Sequence, residues 1–413
     1  AAKNPKLTFR FFQDLLGKGA ENPQVVAFKK RFPDYDIVKD DIRGTTLFKL
    51  SEEVTYSPEE LLAMMLNYSR SLAEEFAEQS IKDTVITVPA FFNQAERRAV
   101  LQAAKLAGLK VLQLINDNTA VALNYGVFRR KDINATAQNI MFYDMGSKST
   151  TCTIVTYQTI KTKDSGIQPQ LQIRGVGFDR TLGGLEVDLR LREHLAKLFN
   201  EQKKSTKDVR ENPRAMAKLL KEANRVKTIL SANNDHMAQV QYAVVFIFGK
   251  SPQDCLYSYR EELGKNINAD EAAAMGAVYQ AAALSKAFKV KPFVVRDAAI
   301  YPIQVEFTRE VEEEEGVKSI KHNKRILFQR LAPYPQRKVI TFNRYTDDFE
   351  FDINYGDLGF LDQEDLRIFA SRNLTTVKLS GVGESFQKNS DYESKGIKAH
   401  FNMDESGILS LDR

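Results

Sequence analysis

A carboxylate followed by a glycine turn is the part of this chain whose residue types and spacing best suit phosphate chemistry. Asp144 ends a predicted strand, and Gly146, Ser147, Lys148 and Ser149 follow it. Glycine tolerates positive φ and leaves room for a ligand, so such a turn lets backbone N–H groups surround phosphate oxygens. A strand-end carboxylate beside it can hold the waters of a phosphate-bound Mg²⁺. The pattern favours a phosphate site, with larger residues at 147–149 than such a turn prefers.

Three further groups of residues bear on the same prediction. Asp117 follows a predicted strand and is suited to orient an attacking water across a cleft. Gly183 and Gly184 open a predicted helix, whose free N–H groups favour anions. Lys227 and Ser231 lie four residues apart on one helical face and could bind a purine or ribose. Each has a plainer interpretation: a turn or N-cap aspartate, a tight turn, a solvated lysine. The two strand-end carboxylates and the glycine turn together favour a phosphate site.

The elements that must position these residues alternate between strands and helices. Ser57 with Glu60, and Asn93 with Glu96, form capping boxes that predict helix starts, and Gly108 ends the second helix. The first of these helices has an apolar stripe at Leu61, Met65, Tyr68, Leu72 and Phe76, which predicts an amphipathic helix. Strands are predicted at 84–88, 111–115, 139–144, 150–156 and 171–176, and helices at 119–125, 184–200, 213–231 and 269–286. This alternation predicts an α/β layer fold with ligands at strand ends.

The pattern changes after Pro302. Residues 349–355 and 397–403 alternate polar and apolar side chains with period two, and the second segment turns into 408–411 through a glycine. We therefore expect an antiparallel β domain over residues 296–413, with residues 287–295 as a linker. Residues 240–260 fit neither part, because an apolar run follows a charged helix directly and predicts a strand or an exposed patch.

Composition limits the remaining classes of function. The 413 residues are 43% apolar, enough for a large core and two or three domains. The 59 basic and 54 acidic residues are interspersed, so we expect neither nucleic acid nor a membrane as partner. Two cysteines and four histidines without ligand spacing argue against metal catalysis through such ligands. The start at Ala1, without an initiator Met or signal peptide, predicts a processed or incomplete piece.

Five segments resemble the seventy-kilodalton heat-shock chaperone superfamily. They are Ile86–Asn93, Ile115–Ala122, the turn after Asp144, Leu182–Gly184 and Asn268–Val278. The resemblance covers nearly the whole chain except Val240–Tyr259. It implies an incomplete α/β actin-like ATPase domain over 1–286 and an all-β antiparallel sandwich over 296–413 that binds unfolded or nascent polypeptides. It also implies ATP or ADP with Mg²⁺ as cofactor, with Mg²⁺ held through water at Asp144.

The resemblance further implies a compartment and a partner. Relatives of the large type are lumenal stress-response chaperones of the endoplasmic reticulum, and they act on another lumenal heat-shock chaperone as nucleotide-exchange factors. Three sequons, at Asn67, Asn134 and Asn373, would be glycosylation sites in that lumen. They agree with the compartment but also occur by chance.

The sequence departs from the family pattern where ATP hydrolysis would need it most. The first phosphate loop is absent, and Gln13 stands at the position of the catalytic lysine. A neutral amide cannot supply the positive charge that stabilises phosphoryl transfer, so we expect no turnover. Asp117 stands where most relatives have Glu, and Lys148 where they have Gly. Whether the Lys148 side chain contacts phosphate or fills the cleft stays open.

Other departures affect the purine clamp and the lid. Only Lys227 and Ser231 of that clamp match the family, with Asn224 at a usually acidic position. The stretch Val240–Tyr259 replaces the family's adenosine-binding loop and most of one subdomain, and the lid helices after the sandwich are missing. Three hypotheses follow: a polypeptide-binding chaperone, an ATP-hydrolysing foldase, or a non-functional truncated isoform with exposed core surface. The departures favour the first without turnover.

Overall fold

The structure is a computed structural model that describes residues 3–162, 166–202, 207–240, 243–248, 267–285, 287–312, 318–343, 345–369, 371–388 and 396–412. The chain divides into two compact units. The first comprises Ala1–Gln79, Tyr143–Thr151 and Phe178–Ala269, and the second Ser80–Phe142, Cys152–Gly177 and Asp270–Arg413. Among the described residues, none of the helices has the length and apolar character that a bilayer crossing requires.

Helices and strands alternate through the first two thirds of the described chain, and strands dominate after that. The helices are α1 (Pro23–Arg31), α2 (Pro58–Ala77), α3 (Gln94–Leu106), α4 (Asp117–Phe128), α5 (Gly184–Glu201), α6 (Pro213–Leu230), α7 (Ala272–Leu284), α8 (Gln363–Ile368) and α9 (Val382–Lys388). The strands through the α/β part are β1 (Asp36–Lys39), β2 (Thr46–Lys49), β3 (Thr55–Tyr56), β4 (Asp83–Val88), β5 (Lys110–Asn116), β6 (Gln138–Met145), β7 (Thr150–Thr162), β8 (Gly166–Asp179), β9 (Asp235–Val240) and β10 (Ala243–Phe248). Those that follow are β11 (Val294–Ala299), β12 (Ile303–Glu312), β13 (Lys318–Phe328), β14 (Ala332–Tyr334), β15 (Gln336–Phe342), β16 (Phe349–Tyr355), β17 (Asn373–Leu379), β18 (Ile397–Met403) and β19 (Leu409–Leu411).

Both predicted capping boxes are confirmed. The backbone N–H of Glu60 donates to Ser57 Oγ at 3.2 Å, and the Ser57 N–H donates back to Glu60 Oε2 at 2.7 Å. Asn93 and Glu96 exchange the same two bonds, at 3.0 and 2.7 Å. Each box satisfies N–H groups that have no partner inside the helix, which is why α2 and α3 begin at these residues. Gly108 follows α3 with φ +71°, the left-handed conformation that commonly ends a helix.

The first unit has an aromatic core that reaches only the start of α2. Phe28, Phe32 and Phe48 are buried there together with Leu61, the first residue of the predicted stripe. The rest of that stripe is exposed in the described structure: Met65 54%, Tyr68 62%, Leu72 49% and Phe76 93%. The predicted helix is confirmed, and the aromatic cluster contacts only its first turns.

The second unit contains the parallel pair β4–β5 and the helices packed beside it. Helix α7 contacts both strands and packs most extensively on α4. A Cβ on Gly276 would lie 1.8 Å from the carbonyl oxygen of Ala120, so only glycine allows these two helices to meet this closely. The small residues of α7 therefore serve packing on α4 as well as contact with the two strands.

Strand β11 joins the sheet of the α/β part to the β domain. It pairs in parallel with β8, with Val294 opposite Gln170, and antiparallel with β14, with Asp297 opposite Tyr334. The five-stranded sheet has the order β14-β11-β8-β7-β6. Residues 294 and 295 of the predicted linker thus lie inside a strand.

The β domain follows the period-two pattern of its sequence. In β16, Phe351, Ile353 and Tyr355 are buried, and in β18 the same holds for Phe401 and Met403. Its strands form two antiparallel sheets in the orders β13-β12-β16-β17 and β15-β18-β19. The predicted strands 349–355 and 397–403 are confirmed with these bounds.

Candidate functional site

The predicted phosphate turn is the tip of the hairpin formed by β6 and β7. The Gly146 N–H donates to the carbonyl oxygen of Ser149 at 2.9 Å and closes the turn. Within the described residues, the N–H groups of Ser147, Lys148 and Ser149 donate no hydrogen bond to protein. Successive N–H groups of this kind form a concavity suited to anions. A phosphate contact at this turn stays a prediction.

The start of helix α5 packs directly on this turn. The Gly184 N–H donates to the Gly146 carbonyl at 3.1 Å, and the Leu185 N–H donates to the Ser147 carbonyl at 2.6 Å. A Cβ on Gly183 would lie 2.7 Å from backbone atoms of Ser147 and Lys148. Glycine is therefore required at 183 by the neighbouring backbone. The first N–H groups of α5 hold the turn, and a direct contact of Gly183 or Gly184 with a ligand stays a prediction.

The two predicted carboxylates lie in different surroundings. Asp144 is exposed near the end of β6. Partial desolvation by the protein raises the pKa of its carboxyl. Asp117 is half-buried in the second unit, where it is the first residue of α4 directly after β5. The accessible carboxylate of Asp144 is the one suited to the waters of a phosphate-bound Mg²⁺.

Lys148 forms an ion pair instead of pointing freely from the turn. Its Nζ lies 2.7 Å from Asp14 Oδ1, and the two side chains are 22% and 32% exposed. Asp14 lies in the 3-10 helix Phe12–Leu15, beside Gln13, which is exposed. The sequence left the direction of Lys148 open, and the structure directs it to Asp14. Sequence reasoning missed Asp14, because nothing local links a residue at position 14 to one at 148.

Two of the three side chains assigned to the purine clamp, Lys227 and Asn224, contact one carboxylate. Lys227 Nζ lies 2.9 Å from Asp188 Oδ1 as an ion pair without hydrogen-bond geometry, and it donates to the Gly184 carbonyl at 3.0 Å. Asn224 Nδ2 donates to Asp188 Oδ2 at 2.9 Å. Ser231 Oγ donates to the Thr228 carbonyl at the end of α6. Asp188 is buried on α5, so these contacts hold α5 against α6.

The residues of the first unit fit a phosphate better than a whole nucleotide. The N–H groups of 147–149 and the accessible Asp144 suit a phosphate with hydrated Mg²⁺. The donors predicted for the base are bound to Asp188 and Gly184 instead. Within the described ranges, no three His, Cys, Asp or Glu side chains come together as a protein-held metal would require. The stretch 240–259, which stands in place of the family's adenosine-binding loop, lies largely outside the described residues.

The three sequons differ in local structure. Asn67 is exposed within α2, and Asn134 is exposed in the loop before β6, with its Oδ1 accepting from the Thr136 N–H at 2.8 Å. Asn373 begins β17, and its Nδ2 donates to Asp352 Oδ1 at 3.2 Å and to Asn354 Oδ1 at 3.0 Å. Modification occurs at Nδ2, so Asn134 offers the more accessible acceptor of the two that lie outside a helix.

Several vertebrate proteins that share one name are similar to this chain. Hypoxia up-regulated protein 1 of Xenopus tropicalis is 73% identical over 465 residues, which cover the whole chain and 72% of that protein. The proteins of the same name from Danio rerio and Mus musculus are each 68% identical and are matched over 47% of their length. The chain thus spans about half the length of the fish and mouse relatives.

The family model for Hsp70 proteins matches residues 1–256 and 253–413. The two matches meet at residues 253–256. These residues lie within Val240–Tyr259, the stretch whose sequence pattern fits neither domain. The alignment to the Xenopus tropicalis relative runs over 465 positions, 52 more than the 413 residues of this chain. These matches confirm the expected ATPase-type α/β fold followed by a β-sandwich, and they show that the chain belongs to the Hsp70 family of chaperones.

Proposed function

We propose that this chain binds unfolded or nascent polypeptides through its β domain and does not turn over ATP. The observation that carries the proposal is the exposed apolar surface on strand β13, where Ile320 is 66% and Ile326 64% exposed. In the described sheet β13 is an edge strand. An edge strand offers unpaired backbone groups to an extended peptide, and apolar side chains on it add affinity.

The absence of turnover rests on the charges around the phosphate turn. Gln13, at the family's catalytic lysine position, is neutral. The Lys148 ammonium is neutralised by Asp14, the residue that follows Gln13 in the chain. Lys227 and Asn224 are bound to Asp188. We expect negligible ATP binding by calorimetry. A dissociation constant in the low micromolar range would overturn this part of the proposal.

The compartment and the partner chaperone are part of the same proposal. We place the chain in the endoplasmic reticulum lumen, with a lumenal heat-shock chaperone as partner for which it promotes nucleotide exchange. The support is the identity to the hypoxia up-regulated relatives and the exposed sequons at Asn67, Asn134 and Asn373. Mass spectrometry of the secretory-pathway protein before and after glycosidase treatment tests the compartment, and unmodified sequons would count against it.

The β13 surface is tested by substitution. We expect Ile320→Asp with Ile326→Asp to reduce the suppression of aggregation of a denatured client, because charged side chains replace the apolar contacts. Ile42→Asp is the matched control, since Ile42 is 95% exposed in the first unit. Equal suppression by the double variant and the control would remove β13 from the proposal.

One observation favours an alternative. The break in the family match within Val240–Tyr259 is what a truncated, non-functional isoform would show. Such an isoform would suppress no aggregation, and its unfolding would lack a cooperative transition because core surface is exposed. A cooperative unfolding transition together with client binding would exclude it.

A further inference from the structure

A cavity of about 360 Å³ in the first unit is rich in positive charge. It lies where the end of α1, the 3-10 helix Val209–Glu211 and helices α5 and α6 meet. Its cationic side chains are Arg10, Lys30, Arg31, Arg192 and Arg210, and its acidic ones are Asp34 and Glu193. Two carboxylates outside the lining, Glu186 and Asp208, pair with Arg31 and Arg210 at 3.3 Å. Five cations against four carboxylates leave a net charge of +1, which favours an anion.

Two arginines of the cavity are held in place by one carboxylate. Arg192, which is 9% exposed, donates through Nε and Nη2 to Glu193 Oε1 at 3.2 and 3.0 Å, and through Nη1 to the Arg31 carbonyl at 3.2 Å. Arg210 Nε donates to Glu193 Oε2 at 3.1 Å, and its Nη1 donates to Asp208 Oδ2 at 3.3 Å. Each guanidinium has five N–H donors. Glu193 therefore links both groups, Asp208 also holds Arg210, and further donors remain on each.

Two other cations of the cavity, Arg10 and Lys30, form no ion pair within 4 Å in the described part of the chain. Arg10 interacts electrostatically with the Asp34 carboxyl, but its Nε is buried without an acceptor. A buried charged donor without an acceptor is unfavourable. An oxyanion within the cavity would supply that acceptor, and guanidinium groups match such oxygens well.

The lining of the cavity also includes apolar side chains and a second carboxyl group. Phe32, Met216 and Leu220 are buried there, so a ligand with an apolar body would be covered on that side. Asp34 Oδ1 is buried without a donor. Burial raises the pKa of the Asp34 carboxyl, which reduces its repulsion of an anion because the neutral acid forms more readily.

We propose that this cavity binds a small organic oxyanion, a phosphate monoester or carboxylate that carries an apolar group. Its volume is at the small end of ligand pockets, which suits one charged group and one ring. None of its lining residues belongs to the phosphate turn 146–149. The cavity also contains no residue of strand β13, the surface proposed to bind polypeptides. The two proposals therefore do not depend on each other.

Calorimetric titration of the full chain with phenyl phosphate and with benzoate tests this site, with benzyl alcohol as the neutral compound. We expect one or both anions to bind, with affinity falling as salt rises because the contact is electrostatic. Lys30→Gln and Arg10→Gln should each weaken binding about tenfold, equivalent to the loss of one charge-assisted contact. The relative strength of the two anions tells which oxyanion the site prefers.

Matched variants decide between this site and others. Lys29→Gln removes the same charge one residue away on α1, outside the cavity lining, and should leave the affinity unchanged. Lys148→Gly should also leave it unchanged. Lys30 is exposed, so Lys30→Gln tests the site even if Arg10→Gln impairs folding. The proposal is overturned if neither anion binds, if benzyl alcohol binds equally, or if Lys29→Gln or Lys148→Gly weakens binding as much as Lys30→Gln.

Discussion

The ammonium of Lys148 lies 2.7 Å from the carboxylate of Asp14 and ties the phosphate turn to the 3-10 helix that carries Gln13. A lysine in this turn would bring an extra positive charge to a bound phosphate if it were free. Because Asp14 neutralises it, the pair leaves no net charge at this end of the turn. The contact therefore supports a phosphate turn that has lost the electrostatics of phosphoryl transfer.

The ion pair predicts a measurable coupling between its two members. We expect Lys148→Gly and Asp14→Gln to show a coupling of about 0.5–1 kcal/mol in a double-mutant cycle, since both side chains are partly covered. Urea unfolding of the four proteins measures it. Additive single effects would mean that the pair contributes nothing.

Gly183 predicts a steric penalty. Gly183→Ala places a Cβ 2.7 Å from the backbone of Ser147 and Lys148, so the turn or α5 must move. We expect a loss of roughly 1–3 kcal/mol in the free energy of unfolding, as for other overpacked sites. Gly177→Ala is the control, because nothing lies within 4 Å of a Cβ there. If both variants unfold at the same urea concentration, the close packing of α5 on the turn is not present in solution.

Gln94 connects α3 to the β domain within the second unit. Its Nε2 donates to the Gly407 carbonyl at 2.7 Å, its Oε1 accepts from the Leu409 N–H at 2.9 Å, and its N–H donates to Tyr355 Oη at 3.0 Å. Gln94→Ala leaves two buried backbone groups without partners, which we expect to cost about 1–3 kcal/mol.

Hydrogen exchange at Leu409 provides a local measurement of the same contact. The Leu409 N–H should exchange faster in Gln94→Ala than in the unmodified chain, because its acceptor is lost. Gln102→Ala, on an exposed position of the same helix, should leave that rate unchanged. An unchanged rate in Gln94→Ala would contradict the contact between α3 and the β domain.

Asp297 predicts a pH dependence of stability in the second unit. The residue is 5% exposed, and its Oδ1 accepts from the Ala298 N–H at 2.8 Å. Burial raises its pKa above the ordinary 3.8, so the folded state holds the proton more tightly than the unfolded state. Its contribution to stability is therefore greatest below pH 3.8 and is lost as the pH rises through the folded-state pKa.

Comparison with Asp297→Asn isolates this contribution. We expect the unmodified chain to lose stability relative to the variant as the pH rises from 3.8, because the variant has no proton to release. Urea unfolding at a series of pH values measures the difference. A relative gain in stability over that range would show that Asn116, Thr119 and Arg97, which favour the ionised form, outweigh burial.

Local signals predicted the elements that position the site. The capping boxes at Ser57 and Asn93 and the period-two strands of the β domain depend on neighbours a few residues apart. The glycine turn after Asp144 likewise occurs as expected. Each of these features is determined within one element, and a single sequence contains the whole pattern.

Contacts between distant segments were not predictable in the same way. Asp14 meets Lys148, and Asp188 collects Lys227 and Asn224, only because separate elements fold together. The sequence of the apolar stripe of α2 does not show that Leu61 is its one member in the buried aromatic core of the described structure. Strand β11 was interpreted partly as linker, because its residues Val294 and Val295 become a strand only through pairing with β8.

Client aggregation measured with and without ATP distinguishes ATP-independent binding of polypeptides from an ATPase cycle. Light scattering of a denatured client is recorded with the full chain present, while phosphate release is followed in the same sample. We predict suppression of aggregation to the same extent with and without ATP, and no phosphate release above background. ATP-independent binding of polypeptides is contradicted if the chain fails to suppress aggregation, or if suppression requires ATP and is accompanied by ATP hydrolysis.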